Sequence, residues 1–307
     1  MGREDPPVAE FADWRFALLL LSNGVLIGLM YSLIALGFVL VYKATDAVNF
    51  AQGEFVMIAG FVVVGGLTVA GAPLGVSVVA GLVGMVGFGF ALERVMLRKL
   101  IGRPVIAVVM ATIGLAAILR GIGPFGIFQG TRPLPLPLPD EPFVWGPLFI
   151  PPIQLVGGGV SLAFLAGFGW FFLKSRKGIA MRAVADNQQI AMAMGINVER
   201  YFGLAWAMTG VVSALGGVLW GNMLGVDVNL ALVGFKVFPV VILGGLDSIP
   251  GAIVGGLIVG LVENVVAGYV DPYVGGGTKD FAPYVLMILA LMVRPYGIFG
   301  KKIIERV

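Results

Sequence analysis

Nine apolar stretches follow one another along this chain: Phe16–Tyr42, Phe55–Val69, Leu74–Leu92, Val105–Gly121, Ile153–Leu173, Tyr201–Leu224, Phe238–Leu246, Ala252–Val270 and Ala282–Val293. A helical bilayer crossing takes about 20 apolar residues, because lipid offers no partner for an exposed backbone group. The Phe238–Leu246 stretch is too short to cross and reads as part of a broken or re-entrant element. The pattern predicts an all-α, polytopic membrane protein with about eight transmembrane helices. Residues 1–307 read as a single transmembrane domain. Charge agrees with this reading. Only 12% of residues are charged, against about a quarter in a soluble domain, and the deficit runs along the whole chain. The 47 glycines also fit, since small residues let helix backbones approach closely where lipid gives no drive for association.

Several function classes fall away. The chain has no Cys and no His, which removes disulfides, thiolate chemistry, the usual proton shuttle and the commonest metal ligands. No Gly-x-x-x-x-Gly-Lys-Ser/Thr phosphate loop occurs, so the chain is not itself a P-loop ATPase. Nothing points to an enzyme, a cofactor or a metal. A net charge of +3 gives no support for nucleic-acid binding. Met1 to Glu10 is polar and acidic, unlike a signal peptide, which opens with positive charge.

Orientation follows from Lys and Arg, which concentrate on the cytoplasmic side. The clusters are Arg94, Arg98, Lys99 and Arg103; then Lys174, Arg176, Lys177 and Arg182; then Arg294, Lys301, Lys302 and Arg306. All three, and the C-terminus with them, are expected in the cytoplasm. The loop at 122–152 is then external. Its alternating prolines, Pro133 to Pro139, predict an extended polyproline stretch. Lys43 at the end of the first span places Met1 outside.

Three segments stand out. Residues 174–200 form the longest cytoplasmic loop, yet Arg182 to Met194 has helical composition, with Ile190, Ala191 and Met194 on one face. Gly195 then ends the helix. Such a helix either inserts into a groove on a partner protein or lies at the lipid headgroups; its small Ala and Gly residues favour the groove. Asp46 to Glu54 places Asp46, Asn49, Gln52 and Glu54 between two apolar stretches. It reads either as a turn with Asp46 or Asn49 capping the next helix, or as functional polarity beside a span. In Val240 to Gly256, Gly244-Gly245 and Pro250-Gly251 break the helix, and Gly251/Gly255 and Gly256/Gly260 form a small-residue packing face. A turn plus a packing helix is the simpler reading there. Lys236 and Glu263 are isolated charges nearby.

Together these segments resemble the permease family of branched-chain amino acid ABC importers, over nearly the whole chain. Asn49 to Glu54, Arg182 to Asn197, Leu243 to Gly256 and Arg294 to Gly300 carry the resemblance. Leu246-Asp247 and Gln52 depart from the usual pattern. The resemblance implies a bacterial inner-membrane subunit paired with a second, homologous permease. Two cytoplasmic ATPase subunits would drive it and a periplasmic solute-binding protein would deliver the ligand. It also implies coupling to the ATPase through Arg182, Ala183, Asp186, Ala191, Met194, Gly195, Ile196 and Asn197. The translocation path is expected near Asn49, Gln52, Glu54, Gly244 and Gly245. An ion-coupled secondary transporter is the alternative; it would need intramembrane carboxylates, for which Glu263 and Asp247 are the candidates.

Overall fold

The computed structural model describes residues 14–100, 103–123 and 130–300. Met1 to Glu10, and Lys301, Lys302 and Arg306 of the third basic cluster, lie outside the described residues. Among those described, eleven α-helices carry the fold: α1 Trp14–Thr45, α2 Gln52–Thr68, α3 Leu74–Val95, α4 Val105–Ile122, α5 Pro152–Lys174, α6 Arg176–Asp186, α7 Gln188–Ala193, α8 Val198–Leu224, α9 Leu232–Gly244, α10 Ile249–Val274 and α11 Thr278–Val293. Six segments are long and apolar enough to cross a membrane: α1, α3 with the 3-10 turn after it (Leu74–Leu100), α4, α5, α8 and α10. Two shorter apolar helices accompany them, Gln52–Thr68 and Val228–Gly244. The second contains Pro239, which removes a helix hydrogen bond. It covers most of the stretch expected to be broken or re-entrant.

The loop expected to be external holds a feature that its proline pattern conceals. Phe143–Trp145 (β1) and Leu148–Ile150 (β2) pair antiparallel, with Phe143 opposite Ile150, to form a small hairpin. The proline stretch before it is anchored. Arg132 bridges Val226, and Asn222 donates to the Leu134 carbonyl at 2.8 Å.

The chain forms two compact units. One comprises Met1–Ser32, Pro137–Leu162 and Lys236–Val307; the other comprises Leu33–Leu136 and Ala163–Phe235. In the first, Gly24 and Gly28 of α1 meet Gly256 and Gly260 of α10. A Cβ added at Gly28 would come 2.7 Å from the Gly256 carbonyl oxygen, so the two backbones touch. Ser32 Oγ strengthens the contact by donating to the Ile253 carbonyl at 3.1 Å. In the second, α3 and α8 approach in the same way, Gly89 against the Trp206 carbonyl and Gly210 against the Met85 carbonyl. Phe55 fills the space beside them, with ring centroids 5.2 Å from Phe88 and 5.9 Å from Trp206.

Candidate functional site: a buried polar segment and an exposed apolar ledge

Residues 46–54 are not a simple turn. Asp46 lines the same cleft as Val105, in the first turn of α4. The Phe50 N–H donates to Thr112 Oγ1 at 3.3 Å, in the middle of α4. Glu54 pairs with Arg120 in its last turn. From Val105 to Arg120 the helix rises about 22 Å. The segment therefore runs beside α4 for most of its length. Non-helical backbone inside a membrane protein is tolerated where protein covers it: Asp46, at the start of the stretch, is exposed, while Ala47, Asn49 and Ala51 are buried, as are Gln52 and Glu54 in the first turn of α2.

Their polarity is matched by partners. Asn49 Oδ1 accepts from the Ala51 N–H at 3.1 Å, and its amide donates to Gln52 Oε1 at 3.4 Å. Gln52 Nε2 in turn donates to Ser213 Oγ of α8 at 3.0 Å. Neither Asp46 nor Asn49 caps α2, whose N-cap is Ala51 with no side-chain bond. Asn49 instead braces the bend before it. Arg120 escaped the sequence reading, although a lone arginine inside the apolar stretch Val105–Gly121 was the available signal. Gly53 explains how α2 fits: a Cβ there would collide with the Ala231 carbonyl, and Gly234 packs just beyond.

The two other residues expected on the path, Gly244 and Gly245, belong to the first unit. Gly244 packs against the Gly251 backbone, and Gly245 takes φ +106° at the turn, beside Gly300. Lys236 and Glu263 are not paired with each other. Lys236 Nζ lies 2.8 Å from Asp280, while the Glu263 carboxylate accepts from the Tyr31 hydroxyl.

The loop at 174–200 contains two helices where one was expected. Ser175 caps α6, accepting from the Gly178 N–H at 2.9 Å. At Asn187 the backbone turns extended (φ −161°, ψ 110°), and its side chain accepts from the Ile190 N–H at 3.0 Å, capping α7. Asn is a strong N-cap, and here its local bond competes successfully with helix continuation. Gly195 then takes φ +79° and closes α7, the Ile196 N–H reaching the Ala191 carbonyl. Asn197 caps α8 through the Arg200 N–H at 3.1 Å.

The break also changes which side chains project. Ile190 and Met194 are exposed together, Met194 by 77%, but Ala191 turns inward and is buried. The shared face expected for all three is corrected to Ile190 and Met194, joined by exposed Met192. Arg182 does not project either. It donates to the Leu173 carbonyl at 3.1 Å and lies over the Phe172 ring. Ala183 and Ile196 are half-buried, whereas Asp186, Gly195 and Asn197 are exposed. The ledge is tied down: Gln188 Nε2 donates to the Ala44 carbonyl at the end of α1, at 3.1 Å. Between them lies a polar cleft of about 440 Å³, lined by Asp46, Arg103, Asp186, Asn187 and Gln189 among others. Partial burial pushes the Asp46 carboxyl up from its ordinary range. Nearby, Arg98 joins the buried Glu93 at 2.9 Å to Glu199 of α8 at 3.0 Å. No cluster of metal-ligating side chains occurs among the described residues.

Asn49, Gln52 and Glu54 are thus buried among apolar helices, and Ile190, Met192 and Met194 are exposed beside them. A family model described as branched-chain amino acid transport system / permease component matches residues 20–292. The chain belongs to this permease family. The permease protein LivH of Escherichia coli (strain K12), of a high-affinity branched-chain amino acid transport system, is 33% identical over 93% of this chain and 96% of its own length. BraD of Pseudomonas aeruginosa, of a system described in the same words, is 32% identical over 94% and 97%. A probable branched-chain amino acid permease of Methanocaldococcus jannaschii is 28% identical over 92% of each chain. In fold alone, the chain is similar to one in the structure of PsaBC from Streptococcus pneumoniae in complex with Fab, with a TM-score of 0.53 at 14% identity over 95% of this chain and 98% of that one. As a member of the permease family, it is the membrane subunit of an ABC importer, a multi-pass inner-membrane component that works with an ATPase and a binding protein.

Proposed function

We propose that this permease imports branched-chain amino acids, paired with a second homologous permease and powered by two cytoplasmic ATPase subunits that dock on α6 and α7. The observation that carries this reading is the ledge. Ile190, Met192 and Met194 are apolar, exposed and adjacent, on a short helix fixed at both ends by Asn187 and Gly195. Exposed apolar clusters mark interfaces, and methionine adapts its shape to a groove. Three basic clusters support a cytoplasmic location for this side and for the C-terminus. A periplasmic binding protein then delivers the ligand on the opposite side, and the buried polar residues Asn49, Gln52 and Glu54 lie on the path. ATP hydrolysis belongs to the partners, since the chain has no phosphate loop.

The test is reconstitution. This chain, co-expressed with the importer's other subunits and placed in liposomes, is expected to show leucine uptake together with vanadate-sensitive ATP hydrolysis. Uptake driven by an ion gradient without ATP would sink this reading in favour of a carrier using Glu263.

A further inference from the structure

Glu54 and Arg120 do more than join α2 to α4. Their pair forms the charged end of a cavity of about 580 Å³ whose other walls include Phe50, Ile113, Ala116 and Phe235. The carboxylate side chain is 2% exposed and the guanidinium side chain 41% exposed. A half-exposed arginine on an otherwise apolar helix is costly to leave facing lipid, so its open side faces water or protein. The cavity thus carries one positive and one negative charge side by side, with an aliphatic and aromatic lining beyond them. An α-amino acid with a branched side chain has the same division: a carboxylate and an ammonium at one end, hydrocarbon at the other.

Resting on the import reading above, we propose that Glu54 and Arg120 form a transit site for the zwitterionic head of an aliphatic amino acid, whose side chain lies against Phe50, Ile113, Ala116 and Phe235. Arg120 presents five N–H donors in a planar fork. Among the described residues, Glu54 is its one salt-bridge partner, through Nη2, which leaves donors for the ligand carboxylate. The ligand ammonium sits against Glu54. Because each charge already has a partner, the ligand must compete with the existing pair, and binding is weak. Weak binding suits a conduit, which must release what it admits. Selection then rests with the binding protein, and the clamp orients the solute as it passes.

The experiment uses the complete reconstituted complex, with radiolabelled leucine as probe and uptake normalised to assembled complex. Arg120→Gln and Glu54→Gln are each expected to cut uptake about tenfold or more, the scale of a lost charge-assisted contact. The double variant separates a clamp from a mere brace. A structural pair is hurt most when one charge is left alone and recovers when both are neutralised. A clamp leaves the double variant as defective as the singles; recovery of uptake overturns the proposal. Ile113→Trp, which fills the cavity and keeps both charges, is expected to reduce uptake comparably, and normal uptake there also overturns it. Should the neutral variants fail to assemble, Arg120→Lys keeps the charge but loses the fork; a raised KM supports the clamp and an unchanged KM overturns it. Wild-type complex that takes up no leucine overturns the import reading itself, whereas wild-type uptake with a recovered double variant overturns only the clamp.

Discussion

Residues 46–54 and residues 182–197 lie in the same compact unit and reverse the usual burial rule in opposite senses. The first buries Asn49, Gln52 and Glu54 among apolar helices. The second exposes Ile190, Met192 and Met194 beside a polar cleft. Buried polarity is stabilised by partners that fix it, so each member there has one. The exposed apolar side chains have no comparable cover among the described residues; on the docking proposed above, an ATPase subunit covers them. The difference separates a region whose polar groups find their partners inside the fold from one whose apolar side chains remain uncovered.

The largest expected effect strikes the first of these regions. Gly53→Val drives a side chain into the Ala231 backbone, with no flexible group to yield. Overpacking against backbone costs about 3 kcal/mol, and folded protein recovered from membranes should fall several-fold; normal yield would mean α2 is seated elsewhere. Next comes a contrast within the ledge. Ala191→Glu buries an unpaired charge and should destabilise the fold by about 2–3 kcal/mol, seen as a lower melting temperature of the purified permease. Met194→Glu, three residues on but exposed, should leave melting unchanged and weaken ATPase retention about tenfold. If the two variants behave alike, the ledge does not divide as the structure shows. Asn187→Ala removes the α7 cap, worth about 1 kcal/mol locally, and should halve coupled ATP hydrolysis or more without altering yield.

The smallest effect concerns pH. Asp46 has φ +53° and a carboxyl raised by partial desolvation. A carboxyl raised in the fold favours folding while protonated, and that contribution is lost as pH rises through its folded-state value. Asp46→Asn should therefore melt slightly higher than wild type at neutral pH. The gain should vanish in acid, below the carboxylate range. A gain that persists in acid would assign it to backbone preference alone.

Much of the architecture was legible because its causes are local or compositional. Long apolar runs, the small-residue repeat through Gly251 to Gly260, and Gly195 as a terminator each act within a few residues. The course of 46–54 was not legible, since it depends on Thr112, Arg120 and Ser213, which lie far away in sequence. The ledge shows a subtler failure. Helical composition continues through Asn187, but one side-chain bond to the Ile190 N–H breaks the helix and rotates Ala191 inward. Periodicity counts residues without knowing where the count restarts.

The bond from Gln188 to the Ala44 carbonyl gives the ledge a strap to the foot of α1, directly before the chain turns inward towards Glu54. A displacement of α7 that keeps this bond moves the end of α1, next to the head of the segment that carries Asn49 and Glu54. On the docking proposed above, a motor that shifts α7 pulls first on the last turn of α1, a few residues ahead of the acid at Glu54.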